Sequence, residues 1–135
     1  MGRLRLVNVL VDTHTLLWLV SSPKQVDPSA LEVLSDPDTT VHVTAASAWE
    51  IAIKTRLGKI AGEPLLSAWS EIMTNMSITE LPIDAADAIL AGRLPWAHRD
   101  PFDRVIVAQA LRRNLSIATR DSKIIAAALT PTFHA

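Results

Sequence analysis

Short apolar runs, each ending on a polar or acidic residue and followed by a segment of helical periodicity, recur along this chain. The first, Leu6 to Val11, is rich in Leu and Val and ends at Asp12. A near-continuous apolar run predicts a strand buried on both faces, as in a parallel sheet. Thr13 to Val20 follows as a helix, with Leu16, Leu17, Trp18 and Val20 on one broad side. Pro28 to Leu34 reads as a second helix with Asp27 as its cap, and Val41 to Thr44 as a second strand. Ala46 to Leu57 is a well-patterned helix: Trp49, Ala52, Ile53 and Leu57 recur at helical spacing, and Gly58 is placed to end it. Leu65 to Met76 is predicted helical, Ile78 to Leu81 a strand and Asp84 to Arg93 a helix. After a loop holding Pro95 and His98, Pro101 to Arg113 reads as a strong amphipathic helix. Leu115 to Thr119 is a strand and Ser122 to Ala128 the last helix. Thr130 to His134 is a short edge strand that Pro131 should weaken. Strands alternating with helices predict an α/β domain around a mostly parallel central sheet.

Length and composition narrow the field. The chain has 135 residues, which fits a single domain over 1–135 and leaves no room for two full-sized ones. It contains no cysteine, so a disulfide scaffold, a thiolate zinc site, an iron–sulfur cluster and a cysteine nucleophile are excluded. With 49% hydrophobic and 20% charged residues it is not a disordered chain. Thirteen Lys and Arg stand against 14 Asp and Glu, a formal net charge of −1, so any nucleic-acid site must be a local patch. No segment reaches the roughly 18 uninterrupted apolar residues of a membrane span. Asn8 and the Asp12–Thr15 stretch break the apolar core that a signal peptide requires, so a cytoplasmic protein with no membrane partner is expected.

In a parallel sheet every strand's C-terminal end lies on one edge, and ligands bind there. Asp12 ends the first strand, Glu50 begins the helix after the second, Asp103 begins the helix before the Leu115 strand, and Asp121 follows that strand. Singly, each has an ordinary explanation. Asp12 and Asp121 are positioned to cap helices, Ser47–Ala48–Trp49–Glu50 matches a capping box, and Asp100–Pro101–Phe102–Asp103 matches a cap with proline at the first helical position. Jointly, four carboxylates at one edge repel one another unless a cation is present. All-oxygen coordination suits Mg²⁺ or Mn²⁺ rather than Zn²⁺. Such a site fits a metal-dependent phosphodiesterase, in which the cation acidifies a water and offsets developing charge. Asp103 is the least secure member, because its helix precedes a strand and the loop from Arg93 to Asp100 must carry its start back to the site.

Four blocks, VDTHTLLWL from Val11, SAWEIAIKTRLGKI from Ser47, HRDPFDRVIVAQAL from His98 and LSIATRD from Leu115, resemble the PIN-domain ribonucleases, specifically the VapC toxins of toxin–antitoxin pairs. With the helices between them they span most of the chain. The resemblance implies a PIN-like three-layer α/β/α domain and a Mg²⁺- or Mn²⁺-dependent endoribonuclease. It implies Asp12, Glu50 and Asp103 as principal acids, with Asp121 as the fourth. An RNA substrate, a cognate antitoxin, a homodimer and a higher toxin–antitoxin assembly are implied with it. It also implies that the fold brings the start of the Asp103 helix to the acidic pocket. The tail LTPTFHA departs from the family's apolar last strand, which puts that strand's pairing in question.

Lys54, Arg99, Arg104 and Arg120 lie within a few positions of these acids and are candidates for holding RNA phosphates. Against this, Glu50 and Lys54 have the i,i+4 spacing of a helical ion pair, and Arg112 and Arg113 suit a helix C-terminus. His14 and His98 flank the acidic motifs as candidates for a base or for loop ordering. Thr119 and Ser47 are candidates for holding a ligating carboxylate in place. Trp96 is placed to stack on a base, whereas Trp18, Trp49 and Trp69 read as core or interface. Two other classes share parts of this pattern. A non-catalytic RNA-binding protein is disfavoured by an intact acid quartet. A phospho-acceptor receiver domain would want adjacent acids after the first strand and a lysine ending a later one, where this chain has Val11–Asp12 and Thr119–Arg120.

Overall fold

The computed structural model describes residues 7–135, and its core is a five-stranded sheet in which every pairing is parallel. The strands are β1 (Val7–Val11), β2 (Thr39–Thr44), β3 (Ile78–Leu81), β4 (Ser116–Thr119) and β5 (Thr132–His134), in the order β3-β2-β1-β4-β5. The predicted start of the first strand at Leu6 lies outside the described residues. β1 is central, and its side chains alternate. Val9 and Val11 join a core with Leu16, Val41, Val43, Ile51 and Met73 on one face. Leu10 joins Ile106, Val107, Ala110, Ile117 and Ile124 on the other. Burial on both faces explains why this strand reads as continuous apolar sequence.

The helices are α1 (Thr13–Ser21), α2 (Pro28–Ser35), α3 (Ala45–Arg56), α4 (Glu63–Ser67), α5 (Trp69–Asn75), α6 (Ala85–Arg93), α7 (Pro101–Arg113) and α8 (Ser122–Ala127). They cover both sheet faces, which gives three layers. Among the described residues no helix is long and apolar enough to cross a membrane.

Four expectations need correcting. The single helix predicted over Leu65 to Met76 is two, because Ala68 leaves helical geometry at φ −120° and ψ 26°. Leu65 and Met73, one in each of the two helices, are both buried. Secondly, the capping box at Ser47 does not form. Thr44, the last residue of β2, caps α3 by accepting the Ala46 N–H at 3.1 Å. This leaves Ser47 inside the first turn and Glu50 in the second. Thirdly, the C-terminal tail does pair, as Thr132–His134 against Ile117–Thr119. Pro131 stands just before the strand, and its carbonyl accepts the Ile117 N–H at 2.9 Å, so its missing N–H interrupts no ladder bond. Fourthly, of the two readings of Trp49, core or interface, the core one falls: the residue is 59% exposed and lies edge-on against Phe102, with ring centroids 5.2 Å apart.

The chain reverses direction of travel across the sheet between β1 and β4, whose C-terminal ends lie side by side. In open α/β sheets the crevice outside such a point is where ligands bind.

Candidate active site

Four elements deliver the acids to that crevice. A cleft of about 110 Å³ is lined by Asp12, Thr13, His14, Glu50, Lys54, Asp100, Asp103 and Asp121. Asp12 leaves β1 in extended geometry and caps α1, with Oδ1 accepting the Thr15 N–H at 2.9 Å. Its Oδ2 accepts from the Thr119 hydroxyl at the end of β4 (2.5 Å). That hydroxyl also accepts the Asp121 N–H at 2.9 Å, so one threonine ties the two acids together. Asp121 in turn caps α8 through Oδ1, leaving Oδ2 without a protein donor among the described residues.

Glu50 is buried and held on both sides. Thr13 Oγ1 donates to Oε1 at 2.7 Å and Lys54 Nζ to Oε2 at 2.8 Å. Ser47 Oγ lies 2.8 Å from the same Thr13 hydroxyl, so its part is in orienting Thr13 rather than in capping α3. The bond to Glu50, ahead of the cost of burial, keeps Lys54 charged by raising its pKa.

Asp103 reaches the cleft because α6 and α7 pack antiparallel. Arg112 and Arg113 at the end of α7 pair with Asp87 near the start of α6, at 2.5 and 2.8 Å. The opposite end of the pair, with the loop between the helices, therefore lies beside the acids. The loop itself is fastened by Arg104. Its Nε donates to the Ala91 carbonyl at 2.7 Å, Nη1 to those of Trp96 and His98 at 2.7 and 2.8 Å, and Nη2 to that of Leu94 at 2.8 Å. A longer contact reaches Gly92 at 3.5 Å. With its guanidinium spent on loop carbonyls, Arg104 is not placed as the phosphate clamp expected from sequence.

Burial, reinforced by the nearby carboxylates of Asp100 and Asp121, pushes the Asp103 carboxyl up to about 6 despite a hydrogen bond from His98. The part that Asp100 and Asp121 add is charge crowding, which a bound cation relieves. The donor set suits such an ion: carboxylate oxygens predominate, several with lone pairs unused, and no thiolate is present.

The other cations fall in different places. Arg120 lies over the Trp18 ring at 4.3 Å and donates to the carbonyls of Gln25 and Ala135. It lines a neighbouring cavity of about 210 Å³ with Asp12, His14, Trp18 and Asp121. Arg99 is exposed and borders a separate cavity between α6 and α7, away from the acids. Trp96 packs on the second core and against His98, with centroids 4.9 Å apart, and so is not free to stack on a base.

Asp100 and His98 carry more than sequence suggested. There Asp100 reads only as a helix cap and His98 as a candidate base or loop-ordering residue; Asp100 lines the acid cleft and His98 stands beside it against Asp103. Yet among the described residues the one tight grouping of potential metal-ligand atoms is His98, Asp100 and Asp103, all within 4.8 Å of one another. Their sequence signal was the spacing itself, a histidine and two aspartates within six residues at a helix start.

An acid-lined cleft at the strand C-ends of a parallel α/β sheet is an arrangement that metal-binding α/β domains share. The PIN-domain family model matches residues 9–129, and the chain belongs to that family. No curated protein matches it by sequence. Solved structures share its fold at low identity. One is VapBC2 from Rickettsia felis, bound to a DNA fragment from its promoter (TM-score 0.70, 13% identity, 95% of this chain and 98% of that one). Others are VapBC-1 from nontypeable Haemophilus influenzae (0.68, 16%, 95% and 98%) and FitAcB from Neisseria gonorrhoeae (0.62, 21%, 93% and 96%).

Proposed function

We propose that this chain, as a single PIN domain over residues 1–135, is a Mg²⁺- or Mn²⁺-dependent endoribonuclease. It acts as the toxin of a toxin–antitoxin pair and is held inactive by a cognate antitoxin. The observation that carries the reading is the convergence of Asp12, Glu50, Asp103 and Asp121, from four separate elements, on one cleft at the strand C-ends.

Asp12, Glu50 and Asp103 would hold the cation directly or through water, and Asp121 would help position the cation or the attacking water. A bound divalent cation supplies an acidified water and a counter-charge to the phosphodiester. The chain's own residues do the positioning. Thr119 fixes the Asp12 carboxylate against Asp121, and Thr13 with Lys54 fixes Glu50. Lys54, which lines the same cleft, is the cation best placed to receive a phosphate oxygen. Arg120 in the adjoining cavity is the second, and Arg99 can meet only a more distant phosphate.

The test uses labelled RNA with Mg²⁺ or Mn²⁺. Cleavage should be abolished by EDTA and should fall about a hundredfold or more in Asp12→Asn and Asp103→Asn, with far-UV circular dichroism unchanged. Full activity in either variant removes that residue from the mechanism. The fold likeness to VapBC chains supports the antitoxin as a partner; the homodimer and a higher assembly are what the resemblance to VapC toxins implies. A small gene immediately upstream whose product binds DNA and abolishes cleavage is the expected finding.

A further inference from the structure

We propose that His98, with Asp100 and Asp103, forms a nitrogen-containing metal subsite that makes the cleft prefer Mn²⁺ over Mg²⁺; this rests on the metal-dependent reading above. The three side chains offer ligand atoms within 4.8 Å of one another. An octahedral ion with bonds of about 2.1 Å has trans ligands about 4.2 Å apart and neighbouring ones about 3.0 Å apart. His98 Nε2 and Asp103 Oδ2 are already 2.7 Å apart, so with the ring proton carried on Nδ1 instead of Nε2 a slight widening seats them as neighbours in one shell. Asp100 caps α7 with Oδ1 alone, accepting the Phe102 and Asp103 N–H groups at 2.8 and 3.1 Å. Its Oδ2 has no protein donor among the described residues.

The imidazole is built in rather than loosely present. Arg104 holds the His98 carbonyl at 2.8 Å and the Trp96 carbonyl at 2.7 Å, and the Trp96 ring packs on the His98 ring. The His98 side chain is 15% exposed and that of Asp103 17%. A ring fixed at both ends gives up little freedom on binding. Mg²⁺ takes oxygen ligands and holds its waters tightly, whereas imidazole nitrogen is a ligand of first-row transition metals. One nitrogen among oxygens therefore shifts selectivity without excluding either ion.

The experiment binds Mn²⁺ to the intact protein and records its pulsed electron-paramagnetic-resonance spectrum, which reports directly bonded ¹⁴N. We expect an imidazole coupling in the wild type that His98→Leu removes. Calorimetric titration should show His98→Leu losing about tenfold in Mn²⁺ affinity while Mg²⁺ affinity stays within about twofold. Mn²⁺ bound without nitrogen coupling in the wild type overturns the subsite and leaves the acid site standing. A change in the pH dependence of cleavage with unchanged metal affinities also overturns it, in favour of His98 as a base. No binding of either ion overturns this subsite and the metal-dependent reading together. Because the wild-type spectrum needs no substitution, the outcome does not depend on how well the variant folds.

Discussion

Replacing Arg104 by alanine separates two accounts of a residue that sequence places among the phosphate-binding cations. Four of its hydrogen bonds are 2.7–2.8 Å long and end on backbone carbonyls of residues 91 to 98. Two of those carbonyls belong to Ala91 and Leu94, each 6% exposed. Buried acceptors left unpaired cost about 1–3 kcal/mol each. The Trp96 and His98 carbonyls are nearer solvent and regain water, so they add less. The sum is about 3–4 kcal/mol, a large part of the roughly 7–15 kcal/mol expected for a domain of this size. Arg104→Lys keeps the charge but loses the planar fork, and should recover less than half of that sum. Urea denaturation followed by circular dichroism reads the loss directly. The same variants should bind metal more weakly, because the released loop carries His98 and Asp100. A phosphate contact predicts something different: near-native stability, uniformly weaker RNA binding, and a salt dependence shallower by about one counterion. Unfolding of Arg104→Ala within about 0.5 kcal/mol of wild type, together with that shallower slope, refutes the loop-fastening account.

Three further outcomes follow from the geometry. Asp103 sits at about 6 because of burial and its neighbouring carboxylates, so protons compete with the cation below that pH. Calorimetry should show Mg²⁺ affinity falling about fivefold from pH 6 to pH 5 and flattening above 7; constant affinity over that range counts against it. Because this folded value lies above the unfolded one, the metal-free protein loses stability from this group as pH rises from about 4 to 6. Added Mg²⁺ should therefore raise the melting temperature more at pH 7 than at pH 5. Asp87 behaves oppositely. Its burial is outweighed by bonds from Arg113, Gln109 and Arg112, which hold it well below the usual carboxylate range. Its contribution is present above the ordinary Asp pKa and is lost only in stronger acid. Asp87→Asn leaves Arg113 without its carboxylate and Arg112 with only the more exposed Asp84, and should cost about 2–4 kcal/mol in urea denaturation, with metal affinity per folded molecule unchanged.

Much of the fold was legible because the signals are local. β1 shows as an apolar run, and α7 as a capped amphipathic stretch with proline at its first helical position. The break at Ala68 was not legible. No residue at the break announces it, because alanine is the strongest helix former of all. Arg104 was misread for a related reason. Its charge and its place beside Asp103 are visible in sequence, but its acceptors are carbonyls up to 13 residues upstream, and carbonyls carry no residue signature.

The acids teach a different lesson, because capping and chemistry were weighed there as rivals. Asp12, Asp100 and Asp121 each cap a helix in the structure, and each does so with one carboxylate oxygen. A cap fixes the carboxylate plane: once Oδ1 is tied to a backbone N–H of the first turn, Oδ2 can occupy only a narrow arc. Where the helix starts at a strand's C-terminal end, that arc faces the crevice. The helix dipole favours the charged form at the same place, so the cap both orients the group and helps keep it ionised. A capping signature is therefore no argument against a ligand role at this sheet edge. Glu50, which does not cap, needs Thr13 and Lys54 to do what a backbone N–H does for the others. Asp103, which also does not cap, depends on His98 and on the loop that Arg104 ties down. The two acids without caps are thus the two whose placement should fail first when their supporting side chains are removed.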